Sequence, residues 1–329
     1  MQFRDIGGSG IKASAVAIGT WTIGGGTWWG EVDDNESVKT IHAALDAGIN
    51  LIDTAPMYGW GLSEEVVGRA VKGRRDKVIL STKCGLWWHD GRGAFFFELE
   101  GTKVNKCLRP ETIKTEIEDS LRRLGTDYID VYHTHWQAEE PDKTPIAETM
   151  GYLTKLKEEG KIRSIAVSNA DPGQMDEYRA VGGIDANQPH YSMLFKNIET
   201  DILPYCVKNN ISILAYSPLE HGLLTGKITM ETQLDESEFR SGTPWYKPEN
   251  RKKVIDMLGG WKSLTKKYNC TVSQLVIAWT IARPGVTHVL CGARRPGQAE
   301  ENAKAGGIML DGADTARIDA DIDSLGQPV

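Results

Sequence analysis

The chain has 329 residues, 40% hydrophobic and 25% charged, enough to bury a sizeable core without disulfide or metal staples. A net charge of −7 argues against a nucleic-acid partner, because phosphate binding needs a Lys/Arg-rich face and Lys103 and Lys106, or Arg74 and Arg75, are too isolated to make one. Cys84, Cys107, Cys206, Cys270 and Cys291 form no C-x-x-C pair, which speaks against a zinc site or disulfide framework; no apolar run suits a signal peptide or membrane span, so a cytoplasmic address is expected.

Residues 2–6 and 11–13 flank Gly7-Gly8-Ser9-Gly10 and predict a hairpin, placed to plug the bottom of a barrel. Eight apolar runs then read as buried strands: 15–19, 50–53, 77–83, 128–135, 162–168, 186–189, 211–217 and 288–292. Helical spacing appears between them. Residues 37–47 place Val38, Ile41, Ala44 and Leu45 on one face, with Gly48 as a stop. Residues 110–124 open with Pro110 and repeat Ile113, Ile117, Leu121 and Leu124; segments 145–159, 201–208 and 271–283 follow the same logic.

Strands alternating with helices predict parallel pairing, and eight is the number at which such a sheet closes. The expected fold is therefore α/β, a (β/α)8 TIM barrel formed by residues 1–329 as one domain. An open doubly wound sheet would want G-x-G-x-x-G after the first strand; Gly24-Gly25-Gly26 lacks the third glycine at the needed interval and reads as a flexible loop. Long connections at 85–109, after the third strand, and 220–250, after the seventh, belong on the C-terminal rim where barrel active sites lie.

The strand ends carry the chemistry. Strand two finishes in Asp53, with Tyr58 five positions later; strand three ends in Ser81-Thr82-Lys83 and strand four in His133-Thr134-His135. A barrel would bring an Asp, a Tyr, a Lys and a His to one rim. Hydride attack on a carbonyl creates an alkoxide that must be protonated. Tyrosine is a reluctant donor, with an ordinary pKa of about 10, and a lysine ammonium beside it favours the phenolate. An aspartate behind the lysine would hold the ammonium in place. A histidine can orient the carbonyl oxygen. Singly, each residue also fits a helix cap or a solvated surface; together they suit carbonyl reduction.

These residues sit within a longer run of motifs: Gly19-Thr20-Trp21, Asp53-Thr54-Ala55-x-x-Tyr58-Gly59, Lys83, and 124–130 leading to His135. The run continues through 160–163, Val167-Ser168-Asn169, Gln188, 215–219, Gly292-Ala293-Arg294 and Glu301-Asn302. Over nearly the whole chain the sequence resembles the aldo-keto reductases, in particular bacterial members near the inositol-catabolism-type and potassium-channel-β-like branches. The resemblance implies Tyr58 as acid, Lys83 and Asp53 as its tuning groups and His135 as substrate orienter. Asp130-x-Tyr132-x-x-His is the family spacing, which selects His135 and leaves His133 to packing or support.

The resemblance also implies a nicotinamide cofactor. Gly19, Thr20, Trp21 and Asp53 border it, Ser168, Asn169 and Gln188 fix the carboxamide, and Tyr216 stacks on the ring. Read alone, Ser168-Asn169 could equally cap the helix before Asp171-Pro172. Ser217, Pro218, Leu219, Leu223, Gly226, Lys227 and Arg240 would follow the pyrophosphate; Gly292, Ala293, Arg294, Gln298, Glu301 and Asn302 would hold the adenosine. Many animal members surround the 2′-phosphate with a Lys-Ser pair and an Arg, where this chain has Gly292-Ala293 and Gln298. Arg294, or its neighbour Arg295, must then supply the charge, so NADPH is the expected cofactor, with NADH possible.

Trp21, Trp28, Trp29, Trp60, Trp87, Trp88, residues 95–97, Trp136 and Trp245 concentrate aromatic surface in the rim loops. Trp pairs in Gly-rich loops are poor core material, so substrate contacts are expected from Trp21, Trp29, Tyr58, Trp88, His135 and Trp136. His89, Asp90, Arg92, His190 and His221 could add hydrogen bonds, favouring a sugar or polyol carbonyl. Two rivals stand beside the small-molecule reductase: a cofactor-bound interaction subunit like the potassium-channel β subunits, which share Ser63-Glu64-Glu65, and a lyase or isomerase using Lys83 as a Schiff base.

Overall fold

A computed structural model of the protein describes residues 1–234 and 239–329. Strands β1 (Phe3–Asp5) and β2 (Lys12–Ser14) pair as the antiparallel hairpin the glycine cluster predicts. The barrel strands follow as β3 (Val16–Gly19), β4 (Leu51–Asp53) and β5 (Ile79–Cys84). A side sheet of β6 (Leu86–Trp87), β7 (Ala94–Leu99) and β8 (Thr102–Lys106) comes next, with β8 central and both pairings antiparallel. The barrel resumes with β9 (Ile129–Thr134), β10 (Ile162–Ser168), β11 (Ala186–Gln188), β12 (Ser212–Tyr216) and β13 (Val286–Gly292). All eight barrel pairings are parallel, and β13 returns to β3 with Leu290 opposite Ala17 and Gly292 opposite Gly19, closing the barrel. Each of the eight expected strands is present, with ends moved by a few residues.

Period-two alternation sorts the strand residues into two cores. Inward-facing Ala17, Leu51, Val131, Ala166, Ala186, Leu214 and Leu290 form the barrel interior, and Ile6, Ile11 and Ala13 of the hairpin pack against them from below. Ile6 and Ile11 are fully buried, so the hairpin does plug the barrel floor. Outward-facing residues such as Ile52, Leu80 and Tyr132 meet the helices in a second, larger core. Pro110–Leu124 begins and ends where its Pro110 and Gly125 (φ 63°) dictate. The first long helix, Asp34–Asp46, starts earlier than the apolar spacing alone suggests, because the Asp33 carboxylate accepts from the backbone N–H groups of Asn35 and Glu36.

The long connection after the third barrel strand is ordered by its own sheet, β6–β8–β7, rather than an irregular loop. The connection after the seventh contains short 3-10 turns, and residues 235–238 of it lie outside the described residues. The three glycines after β3 differ from expectation. A Cβ on Gly24 would stand 2.7 Å from the Tyr58 carbonyl carbon, and one on Gly59 only 2.2 Å from the Gly24 oxygen. This pair lets two rim loops touch backbone to backbone and fixes the segment carrying Tyr58. Among the described residues no helix is long and apolar enough to cross a membrane.

Candidate active site

The C-terminal ends of the strands form the rim. Ser81 and Lys83 point inward from β5; Val131 and His133, followed by His135, do so from β9; Asp53 does so from β4. The alternation places Asp53 and Lys83 within reach. Lys83 Nζ donates to Asp53 Oδ1 at 2.7 Å, to the Thr54 carbonyl at 2.8 Å and to Tyr58 Oη at 3.3 Å. Asp53 Oδ2 accepts from Ser81 Oγ and from Gln188 Nε2, each at 2.8 Å. Tyr58 and His135 meet edge to face, with ring centroids 6.0 Å apart. The four side chains picked out from separate strand ends do converge.

Burial and charge set their protonation. Burial pulls Lys83 down, but Asp53 and the Tyr58 oxygen outweigh it and its pKa lies above the ordinary value, so the ammonium persists. An ammonium so held is a poor nucleophile, which argues against the Schiff-base reading. Burial raises Tyr58, and Lys83 opposes this without reversing it. The expectation that Lys83 makes the phenol more acidic thus holds only as a partial offset: the resting group is a protonated phenol, and the ammonium lessens the cost of ionising it. Burial, then Lys83 and His133, hold His135 well below 6.5, so it is a neutral imidazole. Burial also raises the Cys84 thiol well above its usual range, leaving it inert beside the site.

A cavity of about 540 Å³ runs from Tyr58 and His135 across the rim to Arg294, Glu301 and Asn302. Gly19, Thr20, Trp21, Asp53, Ser168, Asn169, Gln188 and Tyr216 line its inner part. Ser217, Pro218, Leu219, Lys227, Gly292, Ala293 and Gln298 line the rest with Arg294, Glu301 and Asn302. Asn169 (φ 56°) donates to the His135 carbonyl and accepts from Tyr216 Oη at 3.1 Å. The helix cap that Ser168-Asn169 might have supplied is instead Asp171, in a capping box with Gln174. At the far end the Arg294 guanidinium donates to the Glu31 carbonyl at 3.0 Å, and Lys227 pairs with Glu301 at 2.9 Å.

Several expected contacts lie elsewhere. Leu223 is buried in the outer core, Gly226 packs against Val272, and Arg240 stands 5.9 Å over the Tyr246 ring; none lines the cavity. Trp88 packs against Trp60 and His89, because the β6–β8–β7 sheet and its own small core absorb that indole. Asp90 and Arg92 pair with each other. His190 also lies off the cavity, stacked on Tyr216 and Phe195 and bonded to Glu220. Trp21, Trp29, Trp136 and His221 do line it, joined by Trp28, Met57, Leu86, Phe96 and Phe97. Phe96 and Phe97 belong to the rim aromatics read from the sequence, whereas Met57 and Leu86 as site residues, and Ser81 as an Asp53 partner, were missed. Ser81 was legible, since it sits two residues before Lys83 on an inward face.

A closed parallel barrel with an Asp–Lys–Tyr–His set at one end of an elongated rim cavity defines a carbonyl-handling α/β-barrel oxidoreductase class. The Aldo/keto reductase family model matches residues 15–323, and the chain belongs to that family. It is 44% identical over 316 residues to an NADH-specific methylglyoxal reductase of Escherichia coli, a match spanning 95% of this chain and 96% of that protein. The solved glycerol dehydrogenase AKR11B4 from Gluconobacter oxydans is 40% identical with a TM-score of 0.89, covering 99% of this chain and 97% of that one. An aldo-keto reductase from Klebsiella pneumoniae, solved with NADPH, is 30% identical with a TM-score of 0.71, covering 97% and 95%.

Proposed function

We propose that the protein reduces a small aldehyde or ketone with NADPH, also accepting NADH, and that Tyr58 delivers the proton. The observation that carries this is the 3.3 Å contact between Tyr58 Oη and a fully buried ammonium that Asp53 keeps charged. A nicotinamide, when bound, supplies the hydride. The donor set at the inner cavity suits one: Ser168, Asn169 and Gln188 offer hydroxyl and amide groups for a carboxamide, and Tyr216 offers a ring face. At the outer end Glu301, Asn302 and Gln298 would take the adenosine, and Arg294 a 2′-phosphate.

The substrate carbonyl oxygen would sit between Tyr58 and His135. Neutral His135 donates a hydrogen bond to the developing alkoxide, and Tyr58 protonates it. Lys83 then stabilises the phenolate until a proton returns. Trp21, Trp28, Trp29, Trp136 and Phe97 wall the outer pocket, a surface that stacks on the C–H faces of hydroxylated carbonyl compounds. Sugar- or polyol-derived carbonyls are the favoured class, in keeping with the methylglyoxal and glycerol activities named for two relatives. The test is a screen of short hydroxyaldehydes, hydroxyketones and 2-oxoaldehydes with NADPH and NADH, following cofactor absorbance. Turnover with the hydroxylated set is expected. Tight cofactor retention without turnover of any carbonyl would instead support an interaction subunit.

A further inference from the structure

The fully buried His133 is a titratable group that this chemistry leaves unused. It points into the barrel from β9, where it is the register partner of Lys83 on β5. Its Nε2 lies 3.1 Å from Ser81 Oγ, and its Nδ1 lies 3.3 Å from the Val167 carbonyl oxygen. Ser81 Oγ is also 2.8 Å from Asp53 Oδ2. A hydroxyl has one proton to give. If Ser81 gives it to His133, its oxygen faces a carboxylate oxygen at 2.8 Å with no proton between them, in a buried interior. If Ser81 gives it to Asp53, Nε2 must carry a proton toward Ser81. The unfavourable contact is then a neutral nitrogen lone pair against the Val167 carbonyl at 3.3 Å. The second contact is longer and involves no net charge, so it costs less.

We infer that His133 is a positioning residue: as the neutral Nε2–H tautomer it donates to Ser81 and thereby commits the Ser81 proton to Asp53. Asp53 then holds three donors, from Lys83, Ser81 and Gln188, and the carboxylate that anchors the ammonium under Tyr58 cannot rotate. This role rests on the reading of Tyr58, Lys83 and Asp53 as the proton-donating set. The charged and titratable groups facing His133 are Asp53 on β4, Lys83 on β5 and His135 on its own chain segment; burial outweighs the Asp53 attraction and brings its pKa to about 4, keeping the ring neutral.

Nitrogen-15 NMR of the histidine-labelled full chain at pH 7 reads the tautomer directly, with the His133 signals assigned by their loss in His133→Gln. A protonated Nε2 and a bare Nδ1 are expected. An Nδ1–H tautomer, or a doubly protonated ring, overturns the inference. This spectrum stands whether or not any carbonyl is turned over, so its failure is distinct from failure of the proposed function. In a turnover assay His133→Leu, which removes the donor, should lower kcat by about tenfold and leave the cofactor Kd within about twofold. His133→Gln, which retains an N–H donor, should recover most of the loss. Equal losses in both variants, or a loss borne by cofactor affinity, would count against a positioning role.

Discussion

The Asp53–Lys83 pair can be examined by a double-mutant cycle of Asp53→Asn and Lys83→Met. Both side chains are almost sealed from solvent, with 4% and 1% of their side-chain surfaces exposed, and Nζ to Oδ1 is 2.7 Å. Breaking a buried pair from one side leaves an uncompensated charge and costs about 3–5 kcal/mol. Asp53→Asn leaves the ammonium no anionic partner, since the Thr54 carbonyl, Tyr58 Oη and the substituted amide oxygen are all neutral. Lys83→Met leaves the carboxylate its Ser81 and Gln188 donors, so its loss should fall at the lower end. The double variant removes both charges and should cost less than the sum, with a coupling of about 2 kcal/mol or more in urea unfolding at pH 7. In Asp53→Asn alone the folded-state pKa of Lys83 falls below its unfolded value. The unfolded chain then binds more protons, and the stability deficit should shrink as pH rises. Singles that add to within about 0.5 kcal/mol, with no such pH trend, would refute the view that Asp53 keeps Lys83 charged.

Gly59→Ala combines a φ of 65° with a Cβ 2.2 Å from the Gly24 oxygen, so it should displace Tyr58; kcat should fall by about tenfold or more, with far less change in cofactor Kd by fluorescence titration. Arg294→Ala should raise the Kd for NADPH several-fold more than that for NADH; an equal rise would leave only its bond to the Glu31 carbonyl as explanation. His288 is buried, with Nδ1 3.1 Å from the Ser14 carbonyl, and burial lowers its pKa to about 4. Its folded-state pKa lies below the unfolded value, so unfolding takes up a proton. The associated stability is present above about pH 6.5 and is lost as pH falls towards 4, about 3 kcal/mol in all. Replacing His288 with Leu should flatten the urea midpoint against pH in that window, and an unchanged slope would contradict the assignment.

How far the sequence foretold this arrangement depended on the kind of signal. The eight strands were legible because each is a short apolar run bounded by helical spacing, and closure followed from their number. Asp53, Lys83 and His135 were legible because each ends or directly follows such a run. What stayed hidden depends on three-dimensional contact. Nothing in Gly24 or Gly59 alone shows that their backbones meet, so the glycines read as flexibility when they are spacers. Trp88 and Trp60 looked like pocket walls because their partners, supplied by β6–β8–β7, belong to a sheet that the segment's composition did not announce. His190 looked available to substrate, but its neighbour across the parallel pairing is Tyr216, which places it in a stack away from the cavity. The sign of the Tyr58 shift depends on how strongly the surrounding protein desolvates the phenol, which no motif encodes.

Whether Tyr58 donates the proton can be read from Tyr58→Phe in a single-turnover reduction with the cofactor Kd measured in parallel. The phenyl ring keeps the packing against His135 and removes only the hydroxyl that meets Lys83. The hydride-transfer rate should fall by about a hundredfold or more while cofactor affinity is nearly unchanged. A rate within about twofold of the parent chain would mean that another group supplies the proton.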